Sequence, residues 1–261
     1  MGTSVTYNED CLVGLQKLPD ESIDLTVTSP PYDNLRKYNG YSFDAEKTIK
    51  ALYEKTKKGG VVVWIVNDAT INGSETGTSF RQTLYAMERG FNLHDMMIWA
   101  KDGGGAVGSS LCYTQNTEYM FVWSKGRPKS VNLIRDKQNK SYGKSKNNKQ
   151  GRRRPDGEFK FSQRKPSEPY SKRNNWWLLV PQKSDRLWHP AVFPYELARD
   201  HIISWSNEGD LVCDPFLGSG TTRLAAYDLK RNFVGFEIDR EYFEKQEEEF
   251  LRYTEQETLF R

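Results

Sequence analysis

The chain has few of the residues that build metal sites or disulfide frameworks. It contains only three cysteines and three histidines in 261 residues, and Cys11, Cys112 and Cys213 form no Cys-x-x-Cys pair. This spacing suits neither a zinc site nor a disulfide scaffold, so we expect no structural metal. The longest aliphatic and aromatic run, residues 61–66, is far shorter than the roughly 20 residues of a membrane span. The N-terminus also lacks the basic-then-apolar pattern of a secretion signal, so we expect a soluble cytoplasmic protein.

The excess of basic over acidic residues is small in the whole chain but large in one segment. The 38 Lys and Arg against 35 Asp and Glu give a net charge of +3, which is too small to indicate bulk polyanion binding. Residues 125–173, however, hold 17 basic and four acidic residues, a local charge of +13 against −10 for the remainder. Between residues 135 and 177 there is no Ala, Ile, Leu, Val or Met. This stretch therefore cannot build its own core, and we interpret it as an insertion.

The basic insertion has a composition typical of nucleic-acid contact. We expect phosphate neutralisation by its basic side chains, chiefly Arg152, Arg153, Arg154, Lys160, Arg164 and Lys165. Its interleaved aromatic residues suit stacking on bases or sugars: Tyr142, Phe159, Phe161, Tyr170, Trp176 and Trp177. The alternative for this segment taken alone is a solvated flexible loop.

On either side of the insertion, short apolar runs alternate with helical patterns. The runs predict strands at 5–7, 23–28, 61–66, 96–100, 119–123, 211–213 and 233–236. Helices are predicted after Asp44 until Gly59 and Gly60 stop the pattern, and at 79–88, 194–205, 221–230 and 241–252. This alternation favours an α/β fold whose mostly parallel sheet is covered on both faces.

The first candidate site follows the predicted strand 23–28. It reads Thr28-Ser29-Pro30-Pro31-Tyr32. Two prolines cannot continue a strand ladder, so the backbone is stiff and its carbonyl groups are left for another partner. A stiff loop with a hydroxyl, a free carbonyl and an aromatic face suits a flat ring that bears an amine. A rigid turn with a chance aromatic is the alternative.

The second candidate site lies between the strand 211–213 and a predicted helix. It reads Asp214-Pro215-Phe216-Leu217-Gly218-Ser219-Gly220-Thr221-Thr222. Small residues allow a ligand to approach the backbone and the amide groups of the helix N-terminus. The spacing matches neither the Walker loop nor GxGxxG nor GxSxG. Glu237 follows the next strand, about 20 residues beyond the glycines, where nucleotide sites hold ribose hydroxyls. Together these features predict a nucleoside-containing cofactor.

The two motifs in this order resemble the S-adenosylmethionine-dependent DNA amino-methyltransferases of restriction-modification systems. TSPPY precedes FLGSG, with the basic segment between them, which is similar to the permuted β class. The resemblance runs from about Asn8 to Asp239 and implies a Rossmann-like class I methyltransferase fold of circularly permuted order. It implies a catalytic part at 1–126, a basic target-recognition insertion at 127–186 and a cofactor-binding part at 187–261.

The resemblance also assigns roles to residues of the catalytic loop. It implies that a target base is flipped out of the duplex and stacked on Tyr32, beside Pro31. The Ser29 hydroxyl and the Pro30 carbonyl would accept hydrogens from the exocyclic amine, so that the nitrogen lone pair points at the methyl group. Transfer would then be direct.

Cofactor residues are implied in the same way. S-adenosylmethionine would lie among the loop residues Asp214, Phe216, Gly218, Ser219, Gly220 and Thr221, together with Glu237. Asp10 and Cys11 stand where the family has an acidic residue that touches the adenine. The segment that contains His189 and Phe193 is similar to the one that leads into the cofactor loop and lines the methionine end.

The target base is less firmly indicated than the reaction. In the family, Ser at the position of Ser29 usually accompanies cytosine N4, whereas Asp usually accompanies adenine N6, so we expect N4-cytosine methylation with N6-adenine as the alternative. Carbon-5 methylation needs a Pro-Cys nucleophile, and no cysteine here follows a proline. A non-catalytic DNA-binding module and a methyltransferase for RNA or protein are left open as well. The implied partner is double-stranded DNA, while a homodimer and a cognate restriction endonuclease are left undecided.

Overall fold

A computed structural model describes most of the chain. The described residues are 2–31, 43–101, 113–140, 142, 149–163, 168–180, 188–189 and 192–259. Tyr32, Arg164 and Lys165, which the sequence singled out, lie outside these residues. Within the described ranges, no helix is both long and apolar enough to cross a membrane.

The main elements alternate between strand and helix as expected. The helices are α1 (Cys11–Lys17), α2 (Ala45–Lys55), α3 (Thr78–Arg89), α4 (Tyr195–Trp205), α5 (Thr221–Asp228) and α6 (Arg240–Leu259). The strands are β1 (Ser4–Tyr7), β2 (Ile23–Thr28), β3 (Thr56–Val66), β4 (Thr70–Ile71), β5 (Ser74–Glu75), β6 (Asn92–Ala100), β7 (Thr117–Ser124), β8 (Lys137–Gln138), β9 (Lys149–Arg153), β10 (Phe159–Gln163), β11 (Tyr170–Ser171), β12 (Trp176–Leu178), β13 (Leu211–Asp214) and β14 (Asn232–Phe236).

Eight strands form the central sheet in the order β1-β14-β13-β2-β3-β7-β6-β12. All neighbouring pairs are parallel except those of β7, which runs antiparallel to both β3 and β6. The predicted α/β class with a mostly parallel sheet is therefore confirmed. The permuted order is also visible, because β2 near the start of the chain lies beside β13 near its end.

The residues of β3 explain why both faces of the sheet are covered. Along this strand, Val61, Val63 and Ile65 pack in a cluster with residues of α4 and α5, including Ile202 and Ala225. The alternate residues Val62, Trp64 and Val66 pack in a second cluster with residues of α1, α2 and α3, including Leu15, Ile49, Leu52 and Ala86. A continuous apolar run is what a strand buried on both faces requires.

Helix α1 and the end of helix α2 are among the features that differ from the sequence prediction. Helix α1 was not predicted; it begins after Asp10, whose carboxylate accepts hydrogen bonds from the backbone N–H groups of Leu12 and Val13. Helix α2 ends at Lys55, before the glycines that we expected to stop it, because Thr56 takes extended backbone angles and its hydroxyl donates to the Leu52 carbonyl at 2.6 Å. The glycines lie within β3 instead.

The chain divides into two compact units, one of residues 1–132 and 175–261 and one of residues 133–174. The second unit covers fewer residues than the insertion predicted at 127–186. On the C-terminal side the reason is β12, which pairs with β6 of the first unit. Trp177 of this strand is 6% exposed and packs against the ring of His201, so our expectation that Trp177 stacks on nucleic acid is wrong.

The second unit is built from two small antiparallel pairs, β9 with β10 and β8 with β11. An ion pair between Arg173 and Asp136 joins its two ends. Apolar side chains of this unit remain exposed, as for Tyr142, Phe159 and Tyr170. Because Leu133 and Ile134 are the only Ala, Val, Leu, Ile or Met residues in the sequence 133–174, the unit cannot form a core like that of the first unit.

Candidate active site

The two sequence motifs meet because their strands are neighbours at the centre of the sheet. Val212 and Cys213 of β13 pair with Leu25 and Thr26 of β2. From β13 the chain continues through α5 to β14 on one side, whereas from β2 it continues through α2 to β3 on the other. The connections thus diverge between β13 and β2, and the crevice at the carboxyl ends of such strands is where α/β sheets bind ligands.

A cavity of about 370 Å³ opens at this point. Its walls include most of the residues that the sequence singled out: Ser29, Pro31, Asp10, Cys11, His189, Phe193, Phe216, Gly218, Ser219, Thr221 and Glu237. The volume is within the range of small-molecule sites in proteins. Residues from both motifs therefore face one space.

Glu237 is held at the rim of the glycine loop by backbone donors. Its Oε2 accepts from the N–H of Gly218 at 2.8 Å, and its Oε1 accepts from the N–H of Asp239 at 2.9 Å. Burial raises the pKa of this carboxyl group. A carboxylate fixed by two N–H groups has acceptor capacity left on both oxygens, as recognition of a vicinal diol requires.

Close packing around Gly218 explains why the loop needs glycine. This residue has φ of +49°, and a Cβ atom there would lie 2.8 Å from Nε2 of His189. The imidazole of His189 in turn meets the ring of Tyr242 edge-to-face, with centroids 4.7 Å apart. The imidazole of His189 thus leaves no room for a side chain at position 218, and the positive φ also favours glycine there.

Two predicted cofactor residues do not line the cavity. Gly220, with φ of +74°, is the N-cap of α5. Asp214 is buried, and its Oδ1 accepts from the hydroxyl of Thr28 at 2.7 Å and from the N–H of Phe216 at 3.1 Å. Burial raises the pKa of Asp214 to about 7, with a smaller contribution from the nearby Glu237. These contacts give Asp214 a positioning role, because they join the ends of the two central strands.

Ser29 of the TSPPY motif lines the cavity, whereas the two described cysteines, Cys11 and Cys213, have thiols that stay protonated near neutral pH. Ser29 is half-buried on the cavity wall, Pro30 is buried, and Tyr32 lies outside the described residues. Cys11 also lines the cavity, but burial and the adjacent Asp10 raise the pKa of its thiol to about 12. Burial likewise raises the pKa of Cys213. Neither thiol would ionise near neutral pH, so neither is suited to nucleophilic attack.

Several cavity residues were missed by the sequence reasoning. Ile238 and Tyr242 follow Glu237 closely in the chain, and the acid at a strand end could have directed attention to them. Lys47, in the first turn of α2, also lines the cavity and pairs with Asp44. No motif marks Lys47, because its place depends on how α2 packs beside the loop.

Four of the predicted DNA-binding residues, Arg152, Arg153, Arg154 and Lys160, lie in the described part of the second unit. Arg153, Arg154 and Lys160 are exposed on the β9–β10 hairpin. The register pairs Lys160 with Arg152, so two basic residues stand directly opposite each other.

The fold and the cavity together define a class I methyltransferase. The family model of the N6/N4 methyltransferases, a DNA methylase family, matches residues 23–248. The chain therefore belongs to this family, as the two motifs had indicated. Its enzymes are S-adenosylmethionine-dependent, which confirms the predicted cofactor.

Individual relatives agree with this assignment. The chain is 50% identical over 245 residues to the orphan methyltransferase M.BamHII of Bacillus amyloliquefaciens, covering 91% of this chain and 92% of the relative. Among solved structures, it is similar to the PvuII DNA methyltransferase (cytosine-N4-specific), with a TM-score of 0.69, 22% identity and coverage of 94% and 86%. It is also similar to the putative DNA modification methylase TTHA0409 of Thermus thermophilus complexed with S-adenosylmethionine, with a TM-score of 0.66, 22% identity and coverage of 96% and 94%.

The raised pKa of Asp214 predicts a pH-dependent effect of replacing it. Ionisation of the Asp214 carboxyl group opposes folding. The protonated side chain therefore contributes fully to the free energy of unfolding below pH 4, and this contribution is lost as the pH rises through about 7. Asp214→Asn keeps an acceptor for Thr28 and removes the titration. We expect its free energy of unfolding, relative to wild type, to rise between pH 4 and pH 7 by up to roughly 4 kcal/mol.

Urea denaturation at several pH values measures this difference. Glu88→Gln, which removes an exposed carboxylate on α3, is the control and should show a nearly constant difference. If the Asp214→Asn difference is equally constant, Asp214 does not titrate across this range in the folded protein.

Proposed function

We propose that this protein methylates the exocyclic N4 amine of cytosine in double-stranded DNA, with S-adenosylmethionine as the donor. The observation that carries the proposal is that Ser29 and Pro31 line the same cavity as Gly218 and Glu237. An amine-binding loop and a nucleoside-binding loop on one cavity allow direct transfer, because both reactants can be held within reach of each other.

The proposed cofactor site uses the chain's own donors and acceptors. Glu237 accepts from the ribose hydroxyls, and the bare backbone at Gly218 allows close approach. Asp10 and Cys11 border the adenine, while His189 and Phe193 border the methionine end. Bound in this way, S-adenosylmethionine supplies an electrophilic methyl carbon.

The proposed base site orients a weak nucleophile. The lone pair of an exocyclic amine is delocalised into the ring. The Ser29 hydroxyl and the Pro30 carbonyl accept its two hydrogens in fixed directions, which favours a pyramidal nitrogen whose lone pair points at the methyl carbon. Tyr32 stacks on the flipped base and Pro31 keeps the loop stiff. No covalent link to the protein forms, in keeping with the raised thiol pKa values of Cys11 and Cys213.

The choice of cytosine rests on Ser29. A ring nitrogen that accepts a hydrogen bond lies beside the amine in both bases, so the choice follows the family pattern, in which Ser at this position usually accompanies cytosine N4 and Asp adenine N6. The PvuII enzyme, whose fold the chain shares, is cytosine-N4-specific, but at this identity the likeness bears on the fold. N6-adenine methylation is the second candidate, since both rings present an amine to the same loop.

DNA is proposed to bind through the basic insertion, with the 127–186 segment in the role of target recognition. Arg152, Arg153, Arg154, Lys160, Arg164 and Lys165 are the proposed contacts. The exposure of Arg153, Arg154 and Lys160 on the β9–β10 hairpin supports phosphate binding. The proposal needs one chain acting on DNA, and neither a second copy nor a partner endonuclease.

The cofactor role of Glu237 predicts a loss of affinity. Glu237→Ala removes charge-assisted hydrogen bonds worth roughly 1.5 to 3 kcal/mol, so S-adenosylhomocysteine should bind about tenfold to hundredfold more weakly. Calorimetry measures this, with thermal unfolding to confirm the fold. Glu244→Ala, which removes an exposed acid on α6, is the control. Unchanged affinity in Glu237→Ala would remove the residue from the site.

The base assignment predicts the product. Incubation with labelled S-adenosylmethionine and mixed-sequence DNA, then digestion to nucleosides and mass analysis, should give N4-methylcytosine. Ser29→Ala should lower the rate of transfer more than it lowers DNA affinity, because an acceptor that orients the lone pair is removed. Ser22→Ala is the matched control, since Ser22 directly precedes β2 as Ser29 directly follows it, and both are half-buried.

Three other results are informative when RNA is tested beside the DNA and duplex binding is measured as well. Detection of N6-methyladenine as the only product would change the assigned target base from cytosine to adenine. The proposed mechanism of the loop would still hold. Methylation of RNA in preference to duplex DNA would overturn the substrate. Duplex binding without any methylation would favour a non-catalytic DNA-binding module.

The basic hairpin predicts a change in salt dependence. Changing Arg152, Arg153 and Arg154 together to Ala should weaken duplex binding across sequences. It should also reduce the slope of log affinity against log salt by up to about 0.9 for each phosphate that is no longer neutralised. The control removes the same charge from α6 by changing Arg240, Lys245 and Arg252. Equal slopes for wild type and the hairpin variant would mean that these arginines face solvent when DNA is bound.

A further inference from the structure

A small hairpin, which we name the β4–β5 hairpin (Thr70–Glu75), follows the carboxyl end of β3. Its strands pair Thr70 with Glu75 and Ile71 with Ser74. The two residues at its tip, Asn72 and Gly73, both have positive φ, at 52° and 78°. Two consecutive residues in this region form a type I′ turn, the tightest connection that matches the natural twist of a hairpin.

The base of the hairpin is fixed by a buried carboxylate. Asp68 is 3% exposed; its Oδ2 accepts from the hydroxyl of Ser79 at 2.6 Å, and its Oδ1 accepts from the N–H of Ser79 at 2.9 Å and from the hydroxyl of Thr76. The N–H of Thr76 donates to the carbonyl of Ala69 at 2.9 Å, which closes the two strands. The hairpin is therefore a rigid projection, not a loose loop.

The hairpin leaves the body of the first unit at the edge that carries the catalytic loop. The register pairs Thr28, the last residue of β2, with Trp64 of the neighbouring strand β3. The chain then stays packed through Asp68 and Ala69 and is exposed from Thr70 to Glu75. A Cβ atom on Gly73 would meet nothing within 4 Å, so the tip stands in open space.

The residue before the tip is apolar. Ile71 is 57% exposed. A single exposed aliphatic side chain is ordinary, but this one is carried by a hydrogen-bonded projection at the same edge of the sheet as the proposed base site. Asn72 follows it with both donor and acceptor groups.

The hairpin carries one acid and has an exposed cation at its base. Its one acid, Glu75, accepts from the side chain of Gln115 at 2.5 Å. At its base, the guanidinium of Arg81 donates to the Thr76 carbonyl at 2.7 Å and is exposed. A cation held at this position can meet a phosphate without repositioning.

We propose that the β4–β5 hairpin enters the duplex beside the target base and that Ile71 fills the space from which that base is flipped. Flipping breaks stacking and pairing at one step, and an apolar wedge compensates by covering the exposed faces of the neighbouring bases. The inference rests on the proposed function, because it requires a DNA substrate whose target leaves the stack. It does not depend on whether the base is cytosine or adenine.

The test compares two substrates with the same target site. One is a fully paired duplex that the wild-type protein methylates, and the other carries an abasic position opposite the target, so that the pairing is already absent. Ile71→Ala should lower the single-turnover rate about tenfold on the paired duplex and less than about twofold on the other, because only the paired target needs the wedge. Ile71→Leu, which keeps an aliphatic side chain, should restore most of the rate.

The matched control is Leu84→Ala, since Leu84 on α3 is an aliphatic residue of nearly equal exposure, at 58%. It should leave both rates unchanged, and all variants should bind S-adenosylhomocysteine as wild type does. An equal decrease on both substrates, or no decrease on either, would overturn the wedge. If the wild-type protein methylates neither duplex, the proposed function fails, which is a separate result.

Discussion

Thr28 and Asp214, 186 residues apart in the chain, are joined by a buried hydrogen bond of 2.7 Å. This contact closes the carboxyl ends of β2 and β13, the two strands between which the chain connections diverge. Both proposed loops begin at these ends, so their separation is set by the spacing of adjacent strands, which is about 4.8 Å. The position of the whole site therefore depends on one parallel strand pair and on the side chains that link the ends of its two strands.

The link between the two strand ends also explains why the carboxyl group of Asp214 is buried. The Oδ1 atom of Asp214 accepts both from β2, through Thr28, and from its own loop, through Phe216. The loop then turns into α5 through the left-handed glycines Gly218 and Gly220. A side chain that could not reach both donors would leave them unpaired, at a cost of about 1–3 kcal/mol each. The raised pKa of Asp214 is thus a consequence of burying the carboxyl group that links the two strands.

The sequence was sufficient to predict the buried strands and the site motifs, but not several local features. The run at 61–66 is too short for a buried helix and too apolar for an exposed strand, which leaves a strand buried on both faces. Helix α1 was missed because Asp10 was interpreted as a cofactor residue, although its contacts make it a helix cap as well. Gly59 and Gly60 gave a misleading stop signal, since a buried threonine ends α2 earlier. Trp177 could not be separated from its exposed neighbour Trp176 by sequence, because burial of alternate strand residues depends on which strand is the partner.

The charge distribution follows from the chemistry required of each part. The residues outside 125–173 carry a net charge of −10, and they include Glu237, which binds the ribose in the proposed function. Such a surface does not attract DNA by itself. A segment of +13 can supply the attraction without adding charge to the core, and it can do so without a core of its own because the ligand completes its contacts. In the proposed function, catalysis and attraction to the polyanion are therefore divided between a part of the chain with a net charge of −10 and a segment of +13.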